Sequence, residues 1–218
     1  MPKFQERTID AFKAKLSGGG ARSNLFEVSF GTANGLPSGT FFDQIVGTGT
    51  QAQFDEGDLM LIKAAQLPAS TITEIPVPFR GRTLKIAGDR TFDPWTITVI
   101  NDTNFKWRTF FERWMNAITK ISDGSGETNT NNYMTEMVVS QLTRGPVGAL
   151  NQKGADNSNE IAVLRSYRLY GTFPTNVSAI DLSYNNENEI EEFTVDLQVQ
   201  WWEAFDNKDR QTNSASIL

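Results

Sequence analysis

The most constraining feature of this sequence is a strict alternation of apolar and polar side chains near its end. From Phe193 to Trp201 every second residue is apolar, and the residues between them are Thr, Asp and Gln. Successive side chains of a β-strand point to opposite faces, so this spacing predicts a strand with one buried and one polar face. Further strands are predicted, from their β-branched and aromatic residues, at 25–30, 59–67, 71–79, 83–86, 95–100, 134–142 and 161–171.

One segment has helical periodicity instead. Between residues 103 and 121 the apolar positions follow the i, i+3, i+4, i+7 spacing: Trp107, Phe110, Phe111, Trp114, Met115, Ile118 and Ile121. Asp102 or Thr103 can cap this helix. The aromatic stripe is expected to pack on a sheet, and a protein-binding face is the alternative. Seven or eight strands with one main helix predict a mainly β fold, a β-sandwich or barrel with one flanking helix at about 103–121.

The 218 residues are expected to form a single domain with three appended segments. Residues 1–20 predict a flexible N-terminal arm, because a short helix with Ile9, Phe12 and Leu16 at helical spacing is followed by three glycines. Residues 31–58 are rich in Gly, Thr and Ser and predict a long surface loop or docking element. Residues 206–218 predict a polar C-terminal tail.

Composition excludes several classes of function. The chain has neither Cys nor His, which excludes disulfides, thiolate zinc sites and every catalytic arrangement built on a histidine. The net charge of −6 argues against a protein that grips nucleic acid through a basic face. The apolar runs are too short to span a bilayer, and the N-terminus lacks the apolar region of a signal peptide. We therefore expect a soluble protein with no membrane segment.

Carboxylates could still support an enzyme or a metal site. Glu187, Glu189, Glu191 and Glu192 crowd the turn before the last predicted strand, as in a paired-carboxylate glycosidase. Because they are adjacent in a turn, we expect them to splay into solvent. The sequence thus predicts no enzyme, no metal and no cofactor.

A second charged group lies in the segment GDRTFD. Asp89, Arg90 and Asp93 are expected in a tight turn, where an Asp–Arg pair fixes a corner or bridges to a neighbouring subunit.

Three groups of motifs follow one another in an order and spacing that a known family shares. The first is residues 86–102, IAGDRTFDPWTITVIND; the second comprises 171–177, GTFPTNV, and 185–193, NNENEIEEF, running on to Trp202. The third comprises 24–28, NLFEV; 65–69, AQLPA; and 75–79, IPVPF. Together they resemble the tail tube proteins of contractile-tailed bacteriophages, the myoviruses. The resemblance extends from Asn24 to Glu203, and residues 31–58, 143–160 and those after 205 look longer than the family's core.

The resemblance implies a β-sandwich-like subunit with a flanking helix. Six subunits would form a ring in which inner strands join neighbours, and stacked rings would form a hollow tube inside the contractile sheath that conducts viral DNA. The implied partners are further copies of the chain, the sheath protein, the baseplate and tail terminator proteins, and double-stranded DNA in passage. The implied location is the virion tail, assembled in the host cytoplasm.

If the chain forms such a tube, the polar faces of two predicted strands are candidates for the channel wall. An acidic or neutral bore repels phosphate weakly and lets a duplex slide, whereas a cationic bore would hold it. The candidate channel-facing residues are Thr96, Thr98, Asp196, Gln198 and Gln200. The candidate subunit or ring contacts are Asp89, Arg90, Asp93, Phe12 and Leu16.

Other functions stay open from the sequence. The nearest are a baseplate tube-initiator and a tube subunit of a secretion system or a phage-like bacteriocin. A monomeric β-sandwich module that binds carbohydrate is a third, because Trp and Tyr can serve as stacking platforms. A carboxylate enzyme that uses Glu189 or Glu191 is a fourth.

Overall fold

The computed structural model describes residues 8–16, 20–31, 40–46, 57–146, 161–185 and 189–205, and it is mainly β, as predicted. The strands are β1 Phe26–Phe30, β2 Ile62–Ala65, β3 Ser70–Phe79, β4 Arg82–Phe92, β5 Trp95–Ile100, β6 Thr135–Pro146, β7 Ile161–Val177, β8 Glu192–Gln198 and β9 Trp201–Phe205. The helices are α1 Ile9–Lys15, α2 Thr40–Val46, α3 Lys106–Ile118 and α4 Thr130–Tyr133, with a 3₁₀ turn at Asp58–Leu61.

Seven strands form one sheet in the order β1-β6-β7-β8-β5-β2, and β9 pairs with β7. The sheet is open, with β1 at one edge and β2 at the other, so the described strands do not close into a barrel. The two remaining strands, β3 and β4, pair only with each other as an antiparallel hairpin.

The chain divides into two compact units. The first contains residues 1–27, 140–166 and 206–218. Within its described part, Thr8 caps α1 by accepting a hydrogen bond from the Ala11 N–H, and the Ser140 and Ser166 hydroxyls lie 2.8 Å apart and share a buried hydrogen bond. The α1 helix falls within the predicted N-terminal arm; two of the three glycines that define the hinge, at 18 and 19, lie outside the described residues.

The second unit, residues 28–139 and 167–205, contains the apolar core. Four side chains of α3 are at most 2% exposed: Trp107, Phe110, Phe111 and Trp114. Trp107 and Phe110 pack against Phe30 of β1, with ring centroids 6.1 Å apart in each case. The side chains of β5 and β8 alternate between buried and half-buried along both strands. The stripe therefore belongs to the core, which is the first of the two expected roles.

The α3 helix is shorter than predicted at both ends. It begins at Lys106 because Phe105 has a left-handed backbone conformation, with φ of 53°, and the Asp102 carboxylate caps it by accepting from the Lys106 N–H at 2.9 Å. It ends at Ile118, where the chain folds back and the Glu127 N–H donates to the Ala117 carbonyl. Ile121, predicted to lie on the buried face, is therefore 93% exposed.

The last predicted strand is interrupted. It splits into β8 and β9 at Val199–Gln200, and both strands pair with β7. On β7, Gly171 has φ of +61°, and a Cβ there would lie 2.6 Å from the Gln200 side chain. Only glycine accepts both this left-handed conformation and the close approach of the Gln200 side chain. The break between β8 and β9 lies opposite Gly171. Trp201, predicted on the buried face, is 41% exposed.

Two other segments differ from the sequence predictions. The region 31–58, predicted to be a loop, contains α2, whose Phe42 and Ile45 are buried and whose Phe42 ring packs edge-on against Trp114 at 5.0 Å. The strand predicted at 83–86 extends to Phe92. Asp89 and Arg90 therefore lie within β4 and not in a tight turn; only Asp93 follows the strand.

Candidate functional site

The predicted channel residues of β5 and β8 share one face of the sheet. Thr96 pairs with Asp196 in the antiparallel register, and Thr98 pairs with Thr194 two residues along. Gln198 continues the same face of β8, since it lies two residues beyond Asp196. All these side chains are half-buried, whereas the residues between them are buried in the core. The sheet therefore has one apolar face and one polar face here.

Asp196 is held at the centre of that polar face. Its carboxylate accepts hydrogen bonds from the Thr96 hydroxyl at 2.6 Å and from the Asn176 amide at 3.0 Å, and its main-chain carbonyl accepts from Thr175 at 3.1 Å. The Thr96 bond, followed by the Asn176 bond, lowers the pKa of Asp196 below its ordinary value, against a smaller opposing effect of desolvation. The polar face thus carries a fixed negative charge at neutral pH.

Gln200 lies apart from the other four channel candidates. It follows the end of β8, donates its N–H to the Tyr170 carbonyl at 3.1 Å, and packs its side chain against Gly171. The structure therefore groups Thr96, Thr98, Asp196 and Gln198 and leaves Gln200 outside the group.

The candidate contact residues are exposed. Phe12 and Leu16 of the α1 segment are 63% and 45% exposed, and Ile9 lies on the same face of the helix. Asp89 and Arg90 are exposed on β4, and Asp93 is exposed just beyond it.

The β3–β4 hairpin has an exposed apolar face that sequence reasoning missed. Ile75 pairs with Ile86 and Val77 with Leu84 in its register. The five members of this face, named here the hairpin apolar face, are Ile75, Val77, Phe79, Leu84 and Ile86, and each is 38–66% exposed. The alternation at 75, 77 and 79 is visible in the sequence, but only the register shows that residues 84 and 86 share the face.

The opposite face of the hairpin is mixed, with Glu74, Thr83 and Lys85 beside Pro76, Pro78 and Ala87. Glu74 and Lys85 form an ion pair at 2.7 Å there, with both side chains mostly exposed. The hairpin thus has one apolar face and one mixed face, and neither is buried by the part of the chain that the structure describes.

Two of the described carboxylates around the start of β8 have separate partners. Glu191 accepts a hydrogen bond from the Asn101 amide at 2.9 Å, and Glu192 forms an ion pair with Lys63. Glu189 is exposed, and Glu187 lies outside the described residues. Within the described ranges, no three carboxylates come together in a way that could hold a metal ion.

No helix in the described part of the chain has the length and hydrophobicity needed to cross a bilayer.

Comparison with known sequences identifies similar proteins over most of the chain. Residues 21–204 match the family described as phage tail tube protein. Tail tube protein gp19 of Enterobacteria phage T4 and that of phage T6 are each 32% identical over 194 residues, which are 89% of this chain and 98% of the relative. The tail tube protein of Serratia phage KSP90 is 26% identical over 151 residues, 69% of this chain and 76% of the relative.

Two solved structures have a similar fold. Both come from cryo-EM of the anti-feeding prophage: one from its six-fold symmetrised baseplate, with a TM-score of 0.55 and 14% identity, and one from its tube-terminating cap, with a TM-score of 0.51 and 15% identity. The first match covers 87% of this chain and 97% of the other; the second covers 86% and 91%. At these identities the likeness concerns the fold.

Proposed function

Because this chain belongs to the phage tail tube protein family, and is therefore a structural component of the virion and not an enzyme, we propose that six copies form a ring, that rings stack into a hollow tube, and that double-stranded DNA passes through the bore. The observation that carries the assembly step is the hairpin apolar face. A monomeric carbohydrate-binding module would not need such a face.

An exposed set of large apolar side chains of this kind marks a protein interface, because soluble chains rarely leave contiguous apolar surface in water. A two-stranded hairpin is also marginally stable on its own and needs a packed layer. Among the residues that the structure describes, Ile75, Val77 and Leu84 have no such layer, since each is at least 38% exposed. A second copy of the chain supplies the missing layer in the tube.

The open sheet supports the ring. Its edge strands β1 and β2 carry main-chain groups that a neighbouring copy can pair, and pairing around a closed ring leaves no free edge. The structurally similar baseplate protein comes from a six-fold symmetric assembly, which supports six copies in the ring.

Stacking needs contacts between unlike surfaces, because head-to-tail contacts that do not close produce a filament. The exposed apolar side chains of Phe12 and Leu16 serve this role in our proposal. The exposed charges of Asp89, Arg90 and Asp93 form ion pairs between copies. The sheath protein, the baseplate and the tail terminator are the further partners, and the likeness to baseplate and cap proteins of the anti-feeding prophage supports the last two.

The DNA-conducting role is supported by the charge of the polar sheet face. Thr96, Thr98, Asp196 and Gln198 include no cation, and Asp196 is held ionised by its hydrogen bonds. Glu192 lies on the same face of β8, and its ion pair with Lys63 offsets the positive charge of that lysine. If this face lines the bore, a duplex meets mainly neutral and negative groups and forms no lasting phosphate contacts. Gln200 is the fifth proposed lining residue.

Assembly is tested by placing a charge on the hairpin apolar face. Val77→Asp is expected to abolish rings and tubes, because a carboxylate cannot be buried unpaired in an apolar interface. Thr83→Asp is the matched control, since Thr83 is an exposed residue on the opposite face of the same hairpin. Sedimentation velocity and negative-stain microscopy measure assembly, and circular dichroism checks that both variants fold.

Loss of assembly in Val77→Asp alone supports the proposal. Tubes formed by Val77→Asp at the wild-type protein concentration contradict the role of this face, and a wild-type protein that forms no hollow cylinder contradicts the proposed function.

DNA passage is tested in virions that carry Gln198→Lys. Six added cations per ring are expected to slow DNA ejection, because they form phosphate contacts along the bore. Thr128→Lys, at an exposed position in the loop after α3, is the control for the change in charge. The time course of DNA release after triggering measures the effect; equal release times in Gln198→Lys and wild-type virions contradict a bore lined by this face.

A further inference from the structure

The hairpin is attached to the rest of its unit at its base. Residues 71–87 along both strands are exposed, whereas the base lies beside β9. There the Trp202 indole N–H donates to the Ala69 carbonyl at 3.1 Å, immediately before β3 begins. The same indole packs edge-on against Phe92, the last residue of β4, with ring centroids 6.4 Å apart.

One side chain therefore holds both strands of the hairpin. At the base of the hairpin, Ser70 of β3 pairs with Phe92 of β4. Trp202 contacts the β3 side at Ala69, next to this pair, and the β4 side at Phe92 itself. Trp202 itself is fixed from the sheet side by an edge-on contact with Tyr167 of β7, at 5.8 Å. The indole is thus a bridge between the sheet and the hairpin.

A second tryptophan holds the approach to the hairpin. The Trp95 indole N–H donates to the Gln66 carbonyl at 2.6 Å, and Trp95 is 2% exposed in the core. This bond places the start of the segment 66–69, and Trp202 holds its end. These two hydrogen bonds together set the direction in which β3 leaves the sheet.

The length of the hairpin makes this direction important. The ten residues of β3 span about 30 Å at about 3.3 Å per residue. A rotation of about 10° at the base then moves the tip by about 5 Å, which is the spacing between neighbouring strands. An error of that size removes the apolar side chains from any packed partner surface.

We propose that Trp202 is a positioning residue that sets the angle of the β3–β4 hairpin and thereby presents the hairpin apolar face to a second copy of the chain. The inference rests on the proposed assembly function. It assigns to Trp202 no contact with the partner: the residue acts through Ala69 and Phe92.

The neighbouring Trp201 provides a matched control. Its ring stacks on Tyr170 at 3.8 Å, nearly parallel at 11°, on the other side of β9. A Trp201→Phe substitution therefore changes a tryptophan of the same strand without changing a hairpin contact.

The hairpin angle is measured in the full-length protein with two spin labels. The natural chain has no cysteine, so Thr83→Cys at the tip and Lys120→Cys after α3 are labelled selectively. Double electron–electron resonance is recorded at dilutions where the protein is monomeric. We expect one narrow distance distribution for the chain with native Trp202, the same distribution with Trp201→Phe, and a broad one with Trp202→Ala.

Two further variants guard against a folding defect. Trp202→Phe keeps an aromatic ring and removes the N–H donor, and Phe92→Leu removes the ring contact from the hairpin side. Both should broaden the distribution partially and raise the protein concentration needed for assembly about threefold to tenfold, the range expected for one lost hydrogen bond. Circular dichroism and thermal unfolding identify any variant that fails to fold.

The two proposals fail in different ways. An unchanged distance distribution in Trp202→Phe and Phe92→Leu overturns the positioning role, as does a broad distribution with wild-type assembly. A wild-type chain that forms no cylinder overturns the proposed function, and the distance measurement in the monomer still decides whether Trp202 sets the angle.

Discussion

The β5 strand and the β3–β4 hairpin have similar side chains and opposite environments. In β5, Trp95, Ile97 and Val99 are at most 2% exposed; in the hairpin, Ile75 and Phe79 are 52% and 66% exposed. Both regions alternate β-branched and aromatic residues, which favours strands in each. The difference lies in what covers them: the β5 side chains are buried in the core of their unit, and nothing within the described chain covers the hairpin apolar face. Similar local chemistry therefore occurs in a buried core and on an exposed surface, which our proposal assigns to association.

This difference predicts at which step, folding or assembly, apolar burial in each region lowers the free energy. Apolar burial contributes about 25 cal/mol per Å². The β5 side chains gain this contribution when the chain folds, and in the proposed tube those of the hairpin gain it when copies assemble. Substitutions in the two regions should therefore affect different measurements.

The largest effect on folding is expected from Trp114→Ala. Trp114 is fully buried in α3, and its indole N–H donates to the Tyr133 carbonyl at 2.9 Å, so the variant leaves a cavity and an unpaired carbonyl. We expect a loss of roughly 3–5 kcal/mol in the free energy of unfolding. Leu84→Ala, at a position 60% exposed, should change it by less than about 0.5 kcal/mol. Urea denaturation of monomeric protein measures the free energy of unfolding of both variants. Equal losses in the two variants would contradict the difference between core and hairpin.

A smaller and pH-dependent effect is expected from Asp196→Asn. The Thr96 and Asn176 hydrogen bonds lower the pKa of Asp196 in the fold relative to the unfolded chain. A group with a lowered folded-state pKa stabilises the fold above its unfolded pKa, and this stabilisation is lost as the pH falls through the folded-state value. The variant should therefore be less stable than the wild type at neutral pH. The difference between their free energies of unfolding should decrease under acidic conditions.

The matched pair Thr96→Val and Thr98→Val sharpens this prediction. Thr96 donates to the Asp196 carboxylate, and Thr98 pairs with Thr194 instead. Unfolding free energies measured from neutral pH downward should show a weaker pH dependence in Thr96→Val and the wild-type dependence in Thr98→Val. The same dependence in both variants would show that the Thr96 bond is not the cause.

The smallest effect is expected from Lys85→Gln. Its ion pair with Glu74 lies on the face of the hairpin opposite the hairpin apolar face, with both side chains more than half exposed, and exposed pairs contribute about 0–1 kcal/mol. Thermal unfolding should be nearly unchanged, and assembly measured by sedimentation should match the wild type. A loss of assembly would mean that this opposite face of the hairpin also contacts a partner.

Much of the candidate site could be predicted because its periodicity is local. The alternation along β8 placed Asp196 and Gln198 on one polar face, and the β5 pattern placed Thr96 and Thr98 likewise. That Thr96 bonds to Asp196 depends on the pairing of residues one hundred positions apart, which no local pattern contains. The separation of Gln200 from this group depends on Gly171, a contact between two strands that are also distant in sequence.

The family, the mainly β composition and the aromatic stripe of α3 follow from the sequence, because motif order and side-chain period are properties of the chain itself. The ends of α3, the extension of β4 through Asp89 and Arg90, and the helix within 31–58 follow from tertiary structure. The start of α3 depends on the left-handed conformation of Phe105, which the side-chain pattern does not reveal. The others depend on groups outside the segment that pair with its main chain or cover its apolar side chains. The exposure of the hairpin belongs to the same class: the sequence shows its side chains to be apolar, and only the fold shows that they are exposed.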